Sequence, residues 1–576
     1  MAVHNADIAA IFEKIADLLE IEDANPFRVR AYRNAARLVQ GLTHDLKAMV
    51  EAGEDLTELP GIGEDLAKKI IEMVTTGHCS FLEKLEKQTP PALTELLKVP
   101  GLGPKRVKAL WHELDVETVP QLARAAREGR IRTIPGFAEK TEARILEALQ
   151  AQLAAVPRFQ LAIAAQYAAS LVRYLEGVPE VRRVVVAGSF RRGKDTVGDL
   201  DVLATATAAS PVMARFITYD EVAEVLSQGP TRATVILRAK LQVDLRVVAD
   251  ASYGAALHYF TGSKSHNIAI RRLGQAMGLK INEYGVFRGK ERIAGETEES
   301  VYAAVGLPYI EPELRENRGE IEAARAGRLP HLVELGDLRG DLHAHSKASD
   351  GHHTWREMAT AAKARGFEYL AVTEHSRHLT VAHGLDPMRL RRQMDEIDAL
   401  NAELEGITLL KGIEVDILVD GSLDLPDAVL RDLDLVVGAV HSHFDLPRDK
   451  QTARILKAMD SPHFTILAHP SGRLIGSREP MDVDMPRIIR QARSRGCFLE
   501  VNAQPERLDL QDIYAQMAKE EGVLLAISSD AHRIQDFDNL RFGMQQARRG
   551  WLEKKDVLNT RSLPELRHLI AGTMGR

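Results

Sequence analysis

The chain has 576 residues, 45% of them hydrophobic, with 75 Lys and Arg against 82 Asp and Glu for a net charge of −7. That length supports several compact units with full apolar cores, and the acidic balance excludes nucleic-acid binding through overall charge, so any such binding rests on local patches and backbone contacts. Two distant cysteines, Cys79 and Cys497, exclude a disulfide framework and a thiolate zinc finger; a reducing cytoplasm is expected, with neither signal peptide nor membrane span.

The first 156 residues begin with a helical region. Leu59-Pro60-Gly61-Ile62-Gly63 precedes an amphipathic helix with Leu66, Ile70 and Ile71 on one face, and Val99-Pro100-Gly101-Leu102-Gly103-Pro104-Lys105 repeats the pattern. Ile134-Pro135-Gly136-Phe137-Ala138 is a weaker third copy, with alanine in place of the second glycine. Glycines in such a hairpin permit close backbone approach, and the N–H groups that open the next helix suit a phosphate. A tight turn between packed helices is the alternative, but Lys68, Lys69, Lys105 and Arg106 follow the turns and favour DNA. This is the helix-hairpin-helix signature, which contacts DNA backbone without reading sequence. It nominates Gly61, Gly63, Lys69, Gly101, Gly103 and Lys105 as DNA contacts. The segment Asn25 to Arg33 adds a basic, aromatic surface suited to a 5′ end. Here the chain resembles the small N-terminal domain of family X DNA polymerases. In lyase-competent members a lysine after the first hairpin forms a Schiff base with an abasic sugar, and Lys69 falls at that place. Asp65 stands where those members carry a phosphate-binding lysine, so an ordinary solvated lysine is expected at 69.

Val184 to Ala187 is a short apolar strand that runs into Gly188-Ser189-Phe190-Arg191-Arg192-Gly193, and Gly198-Asp199-Leu200-Asp201-Val202-Leu203 follows. Carboxylates two residues apart in a strand share a face at roughly 7 Å, close enough to hold a pair of Mg²⁺ or Mn²⁺ ions. Asp244 supplies a third acid on a further strand. Three acids around two hard cations are what nucleotidyl transfer requires. An Asp-x-Asp strand alone also fits an ordinary acidic face. The loop Gly188 to Arg192 changes that reading, because Ser189, Arg192 and backbone N–H groups suit the β- and γ-phosphates of a nucleotide.

These elements together resemble the nucleotidyltransferase palm, with Asp199, Asp201 and Asp244 catalytic. Tyr259-Phe260-Thr261-Gly262-Ser263, then Asn267 and Arg271, and Ile281-Asn282-Glu283-Tyr284-Gly285 resemble the thumb of DNA polymerase β. The resemblance implies that Tyr259, Phe260 and Gly262 pack against the sugar and exclude a ribose. It also implies that Asn267 meets the base edge and that Arg271 lies along the template minor groove. Lys264 stands where eukaryotic members have an aspartate under the incoming base, and Val197 replaces a phosphate-contacting serine. Both departures should alter nucleotide affinity.

After a charged stretch expected to be a linker with a short helix, histidines and acids cluster. Twelve of the twenty histidines lie between His343 and His532. The clusters are Asp341 to His345 with Asp350, Thr373 to His375, Gly412 to Asp416, Val440 to His443, Ala468 to Pro470, and Ser529 to His532. Each ends an apolar, β-rich run, and the runs alternate with amphipathic helical stretches, the pattern of buried parallel strands joined by helices. Ligands at the ends of such strands converge on one mouth. Imidazole and carboxylate suit Zn, Mn or Fe, and a bridging carboxylate such as Glu414 would let two ions share a substrate oxygen. Phosphoester hydrolysis is the expected reaction.

The order of clusters resembles the PHP (polymerase and histidinol phosphatase) domain. Carried over residue by residue, the family's nine ligands fall on His343, His345, Asp350, His375, Glu414, His441, His469, Asp530 and His532, which the resemblance divides among up to three ions. His352, His353, His378, His383, His443 and His463 have no assigned place. The whole chain resembles the bacterial and archaeal branch of family X polymerases. The expected architecture is multidomain: a helical helix-hairpin-helix region (1–85), fingers with the second and third hairpins (86–156), an α+β palm (157–250), a thumb (251–315), a linker (316–337) and an α/β PHP barrel of (β/α)7 type (338–576). The resemblance implies a monomer that fills gapped or nicked DNA with deoxynucleoside triphosphates in base excision repair. The PHP domain would trim 3′ ends and cut abasic sites or remove 3′ phosphates. Two other readings stand beside it: a PHP domain that hydrolyses small phosphoesters or is only structural, and a non-catalytic scaffold for DNA ends.

Overall fold

A computed structural model describes residues 4–42, 46–59, 61–99, 101–154, 158–207 and 209–574; Pro60 and Pro100 of the hairpins, and the expected boundary at 156–157, lie outside them. The chain forms two compact units. The first comprises Met1–Arg158 with the stretches Thr218–Glu224 and Ile236–Leu241, so two pieces of the region expected to be palm belong with the N-terminal helices.

The first unit is helical. Helix Asn5–Ile21 buries Ile8, Phe12, Ile15 and Leu19 along one stripe and packs on helix Pro26–Gly41. One apolar core gathers Phe12, Tyr32, Ile62 and Ile70, and a second gathers Leu93, Val107, Leu110 and Leu122. The three hairpins share one geometry. Their first glycines, Gly61, Gly101 and Gly136, have φ of +78°, +90° and +90°, a region that only glycine enters without strain. The residue after each glycine donates its N–H three residues back, Ile62 to Leu59, Leu102 to Val99 and Phe137 to Ile134, and buries its side chain. The third copy, expected to be weaker, therefore makes the same turn.

In the second unit, strand Val181–Val186 runs antiparallel to Asp199–Ala206, which lies parallel to Gln242–Val248. Two further strands extend this sheet. Helices Tyr253–Thr261 and Lys264–Ala276 follow, then a meander of Leu279–Asn282, Gly285–Arg288 and Glu291–Ala294. The stretch expected to be a linker is corrected: a short helix, Glu320–Arg325, is present, but the segment is packed down. Ile321 and Ala324 join the apolar core of Ile270, Val301 and Tyr302, and Glu320 is buried against His266.

The C-terminal region contains eight short parallel strands in two sheets, Gly340–Asp341, Tyr369–Val372 and Thr408–Lys411 in one, and Glu414–Asp416, Val437–Ala439, Ile466–Leu467, Phe498–Asn502 and Leu525–Ser528 in the other. Parallel bridges between His375 and Glu414 and between Ala344 and Ala531 link the two sheets. Strands such as Tyr369–Val372 are buried on both faces, which explains their unbroken apolar sequence; each buried Val or Leu contributes about 1.5–3 kcal/mol. Among the described residues no helix is long and apolar enough to cross a membrane.

Candidate metal centres

The acid pair lies on strand Asp199–Ala206, and register places Asp201 directly beside Asp244 on the parallel neighbour. The three candidate acids thus meet on two adjacent inner strands of the sheet. Asp244 is buried and accepts hydrogen bonds from Thr234 Oγ1 at 2.6 Å and Gln242 Nε2 at 2.8 Å, which fix its carboxylate. Burial, then the charges of Asp199 and Asp244, push the Asp201 carboxyl up to about 7, against the opposing pull of Arg246 and Arg192. Carboxylates crowded this way repel one another until a cation joins them. Gly188 has φ +63°, and a side chain there would run into the Asp201 carboxylate. The glycine loop is therefore laid against the candidate acids, a closeness that only glycine permits.

Ser189 is partly exposed on the short helix Gly188–Arg191. Arg192 is held by Glu316 and by the carbonyl of Thr261. Tyr259 and Phe260 meet edge to face at 5.1 Å, and Arg246 lies 4.4 Å over the Phe260 ring. A side chain at Gly262 would strike Asn267. Asn267 gives its amide N–H groups to the carbonyls of Tyr259 and Gly262, so it braces this turn, while its Oδ1 is buried without a hydrogen-bond partner among the described residues. Lys264 is exposed at the start of its helix. Arg271 lines a hollow with Arg272, Gln275 and Lys280. Val197 is fully buried.

In the helical unit, Gly103 and Lys105 share a hollow with Glu20 and Asp23. Phe27 is exposed, but Arg33 turns back onto Glu13, Asp17 and Glu20, which removes it from the expected basic surface. Lys69 also departs from expectation. Its side chain is only 12% exposed, paired with Asp65 at 2.5 Å and seated 5.2 Å from the Phe81 ring, on which Tyr32 stacks. It is not a solvated lysine.

The nine candidate ligands of the C-terminal region converge at the strand ends. Glu414 is their centre. Its Oε1 lies 3.0 Å from His469, 3.3 Å from His441 and 3.5 Å from His343, and its Oε2 lies 2.6 Å from His375 and 3.7 Å from His345. Asp530 stands 3.1 Å from His345, and Asp350 lies within 3.5 Å of both His375 and His532. Three groups have donor atoms all within 4.8 Å of one another: His345, Asp350, His375 and His532; His343, His345 and Asp530; and His375, Glu414 and His441. His343 Nε2, His345 Nδ1, His375 Nδ1 and Glu414 Oε2 are buried without a hydrogen-bond partner. Buried donor and acceptor atoms left this way are penalised unless cations join them. The donor set therefore fits several divalent ions with a shared carboxylate. Burial opposes ionisation of Glu414, yet His375, His441 and His343 hold its carboxyl well below the usual range.

Further residues orient these ligands. His343 Nδ1 donates to Glu500 at 2.7 Å, His441 Nδ1 to Asp416 at 3.0 Å and His532 Nδ1 to the Asp530 carbonyl at 2.9 Å, and each bond turns Nε2 into the cluster. Glu500 also accepts the backbone N–H of His469 at 2.7 Å. Asp530 and His469 carry positive φ, +51° and +27°, strain that the surrounding bonds hold in place. Sequence reasoning missed Glu500, whose only signal is an acid in the middle of the apolar run Phe498–Asn502. Replacing Glu500 by glutamine is expected to weaken metal binding about 10–100-fold with little change in melting temperature; metal titration followed by thermal unfolding checks both.

Adjacent strands with three acids and a glycine loop, in one chain with a histidine–carboxylate cluster on parallel strands, define a nucleotidyltransferase fused to a metal-dependent phosphoesterase. The comparisons with known proteins agree. Family models match a helix-hairpin-helix domain at residues 3–79, a SAM-like helix-hairpin-helix tandem at 93–151, the DNA polymerase beta palm at 156–267, the DNA polymerase beta thumb at 256–316 and the PHP domain at 341–528. The chain is 39% identical over 568 residues to the DNA polymerase/3′-5′ exonuclease PolX of Bacillus subtilis (strain 168), covering 98% of this chain and 99% of that one. It belongs to the family X DNA polymerases that carry a C-terminal PHP domain. A probable phosphatase of Thermoanaerobacter sp. (strain X514) is 29% identical over 232 residues, 38% of this chain and 89% of its own length. DNA polymerase lambda of Rattus norvegicus is 25% identical over 345 residues, 54% of this chain and 56% of its own.

Proposed function

We propose that the chain is a gap-filling DNA polymerase with a 3′-5′ exonuclease, its two reactions run in separate sheets. The observation that carries the reading is Asp201 in register with Asp244 beneath Gly188, in a chain whose Glu414 faces imidazoles on both carboxylate oxygens. Asp199, Asp201 and Asp244 would hold two Mg²⁺ or Mn²⁺ ions, which when bound activate a 3′-hydroxyl and neutralise the triphosphate. Ser189 and Arg192 hold the β- and γ-phosphates. Tyr259 and Phe260, braced by Asn267 through Gly262, form the wall against the sugar, with Lys264 beside the base. Arg271 follows the template groove. Gly61, Gly63, Gly101 and Gly103 present helix-start N–H groups to the DNA backbone, with Lys69 and Lys105 beside them.

At the second site the nine ligands would hold up to three Zn²⁺, Mn²⁺ or Fe ions, which when bound would activate a water and neutralise phosphate charge. Glu500 and Asp416 keep His343 and His441 aimed at the cluster. Short-gap repair synthesis in the cytoplasm by a monomer follows from this reading, with the second site preparing the 3′ end. A second reading, a PHP domain acting on small phosphoesters, draws on the match to probable phosphatases. A one-nucleotide gapped duplex assayed with and without nucleotides, in Mg²⁺ and in Mn²⁺, tests both. Extension with nucleotides and 3′ shortening without them are expected. Extension alone, with turnover of a small phosphate ester, would move the PHP site to the second reading; binding without any turnover would support a scaffold.

A further inference from the structure

The loop that carries Arg192 is clasped by the PHP domain. Arg549, at the end of helix Leu540–Arg549 and 1% exposed, donates Nη1 to the backbone carbonyl of Arg192 at 2.9 Å and to Glu316 Oε1 at 3.0 Å. The same Glu316 oxygen accepts Arg192 Nε at 2.9 Å, while Arg192 Nη1 donates to the Thr261 carbonyl at 2.8 Å. Arg549 is fixed in turn by Asp512, at 2.6 Å from Nη2, and Asp512 also holds Arg318. One residue on, Gly193 (φ +64°) lies so close to Gln545 of the Arg549 helix that a Cβ would stand 3.0 Å from that side chain. At the far end of the loop, Arg473 of the PHP domain donates to Asp195 at 2.8 Å and is itself held by the carbonyls of Arg507 and Leu508.

We infer that Arg549 is a positioning residue of the polymerase reaction, supplied by the PHP domain. It fixes both the main chain and, through Glu316, the guanidinium of Arg192. With Nε and Nη1 engaged, Arg192 has only Nη2 without a partner among the described residues, and its charge reaches Asp201. A preorganised guanidinium binds a triphosphate without first losing side-chain freedom. The polymerase site is thus completed by a domain whose own chemistry is elsewhere, and its affinity for nucleotide depends on a residue that touches no nucleotide.

This inference rests on Arg192 facing the triphosphate, so the test includes that residue. In the full chain, single-nucleotide insertion is measured for Arg192→Met, Arg549→Met and Arg549→Lys, with 3′ shortening and thermal unfolding as controls. Arg549→Met is expected to raise the nucleotide KM about tenfold with kcat and 3′ shortening near their original values, and Arg549→Lys to fall between. An unchanged KM in Arg192→Met would defeat the reading of the loop itself. A raised KM in Arg192→Met with an unchanged KM in Arg549→Met would overturn the inference alone, as would a joint fall of synthesis and 3′ shortening in both Arg549 variants. Where Arg549→Met does not fold, Arg549→Lys decides by the same KM.

Discussion

Replacing Asp199 and Asp201 together by alanine is expected to abolish primer extension, a loss of about a thousandfold or more, while 3′ shortening of the same duplex continues at its original rate. The reason is local. These carboxylates and Asp244 are the only acids that register brings together beside Gly188 among the described residues, so nothing nearby substitutes for them as cation ligands. The C-terminal cluster, built on other strands, keeps every ligand. Removing two mutually repelling, half-buried acids also relieves strain on the apoprotein, and thermal unfolding should show the variant no less stable than the parent in EDTA. Loss of both activities would contradict the assignment of separate sites.

The complementary variant is Glu414→Gln. The amide keeps the shape but removes the negative charge that five imidazoles face, and its NH₂ group points a donor at where a cation belongs. Exonuclease activity is expected to fall by about a thousandfold, with less metal retained per chain by elemental analysis and with primer extension in Mg²⁺ preserved. An active variant of full metal content would remove Glu414 from the centre of the cluster.

Much of this was legible in the sequence because it lies at strand ends. His343, His375, His441, His469 and Asp530 each close an apolar run, and parallel strands bring such ends together without further information. Glu500 was not legible: it sits inside a strand, and its partner His343 is far away in the chain. Arg192 could be read from its glycine loop, whereas the Glu316 and Arg549 that hold it come from a packed segment that looked like a linker and from the last helices of another domain. Lys69 was misjudged for the same reason. Its burial depends on Phe81 and Tyr32, side chains of neighbouring helices that no local pattern reveals. The third hairpin was undervalued because its missing second glycine was weighed as a folding requirement, when the first glycine carries the positive φ.

That distinction separates shape from grip. A methyl group added at Gly63 or Gly103 would meet nothing within 4 Å in the protein, so the fold does not demand glycine there. What the missing methyl leaves is clearance for an incoming backbone. In the third hairpin Ala138 is exposed and fills that clearance, so on the function proposed above the first two turns would admit a backbone phosphate and the third would hold it off.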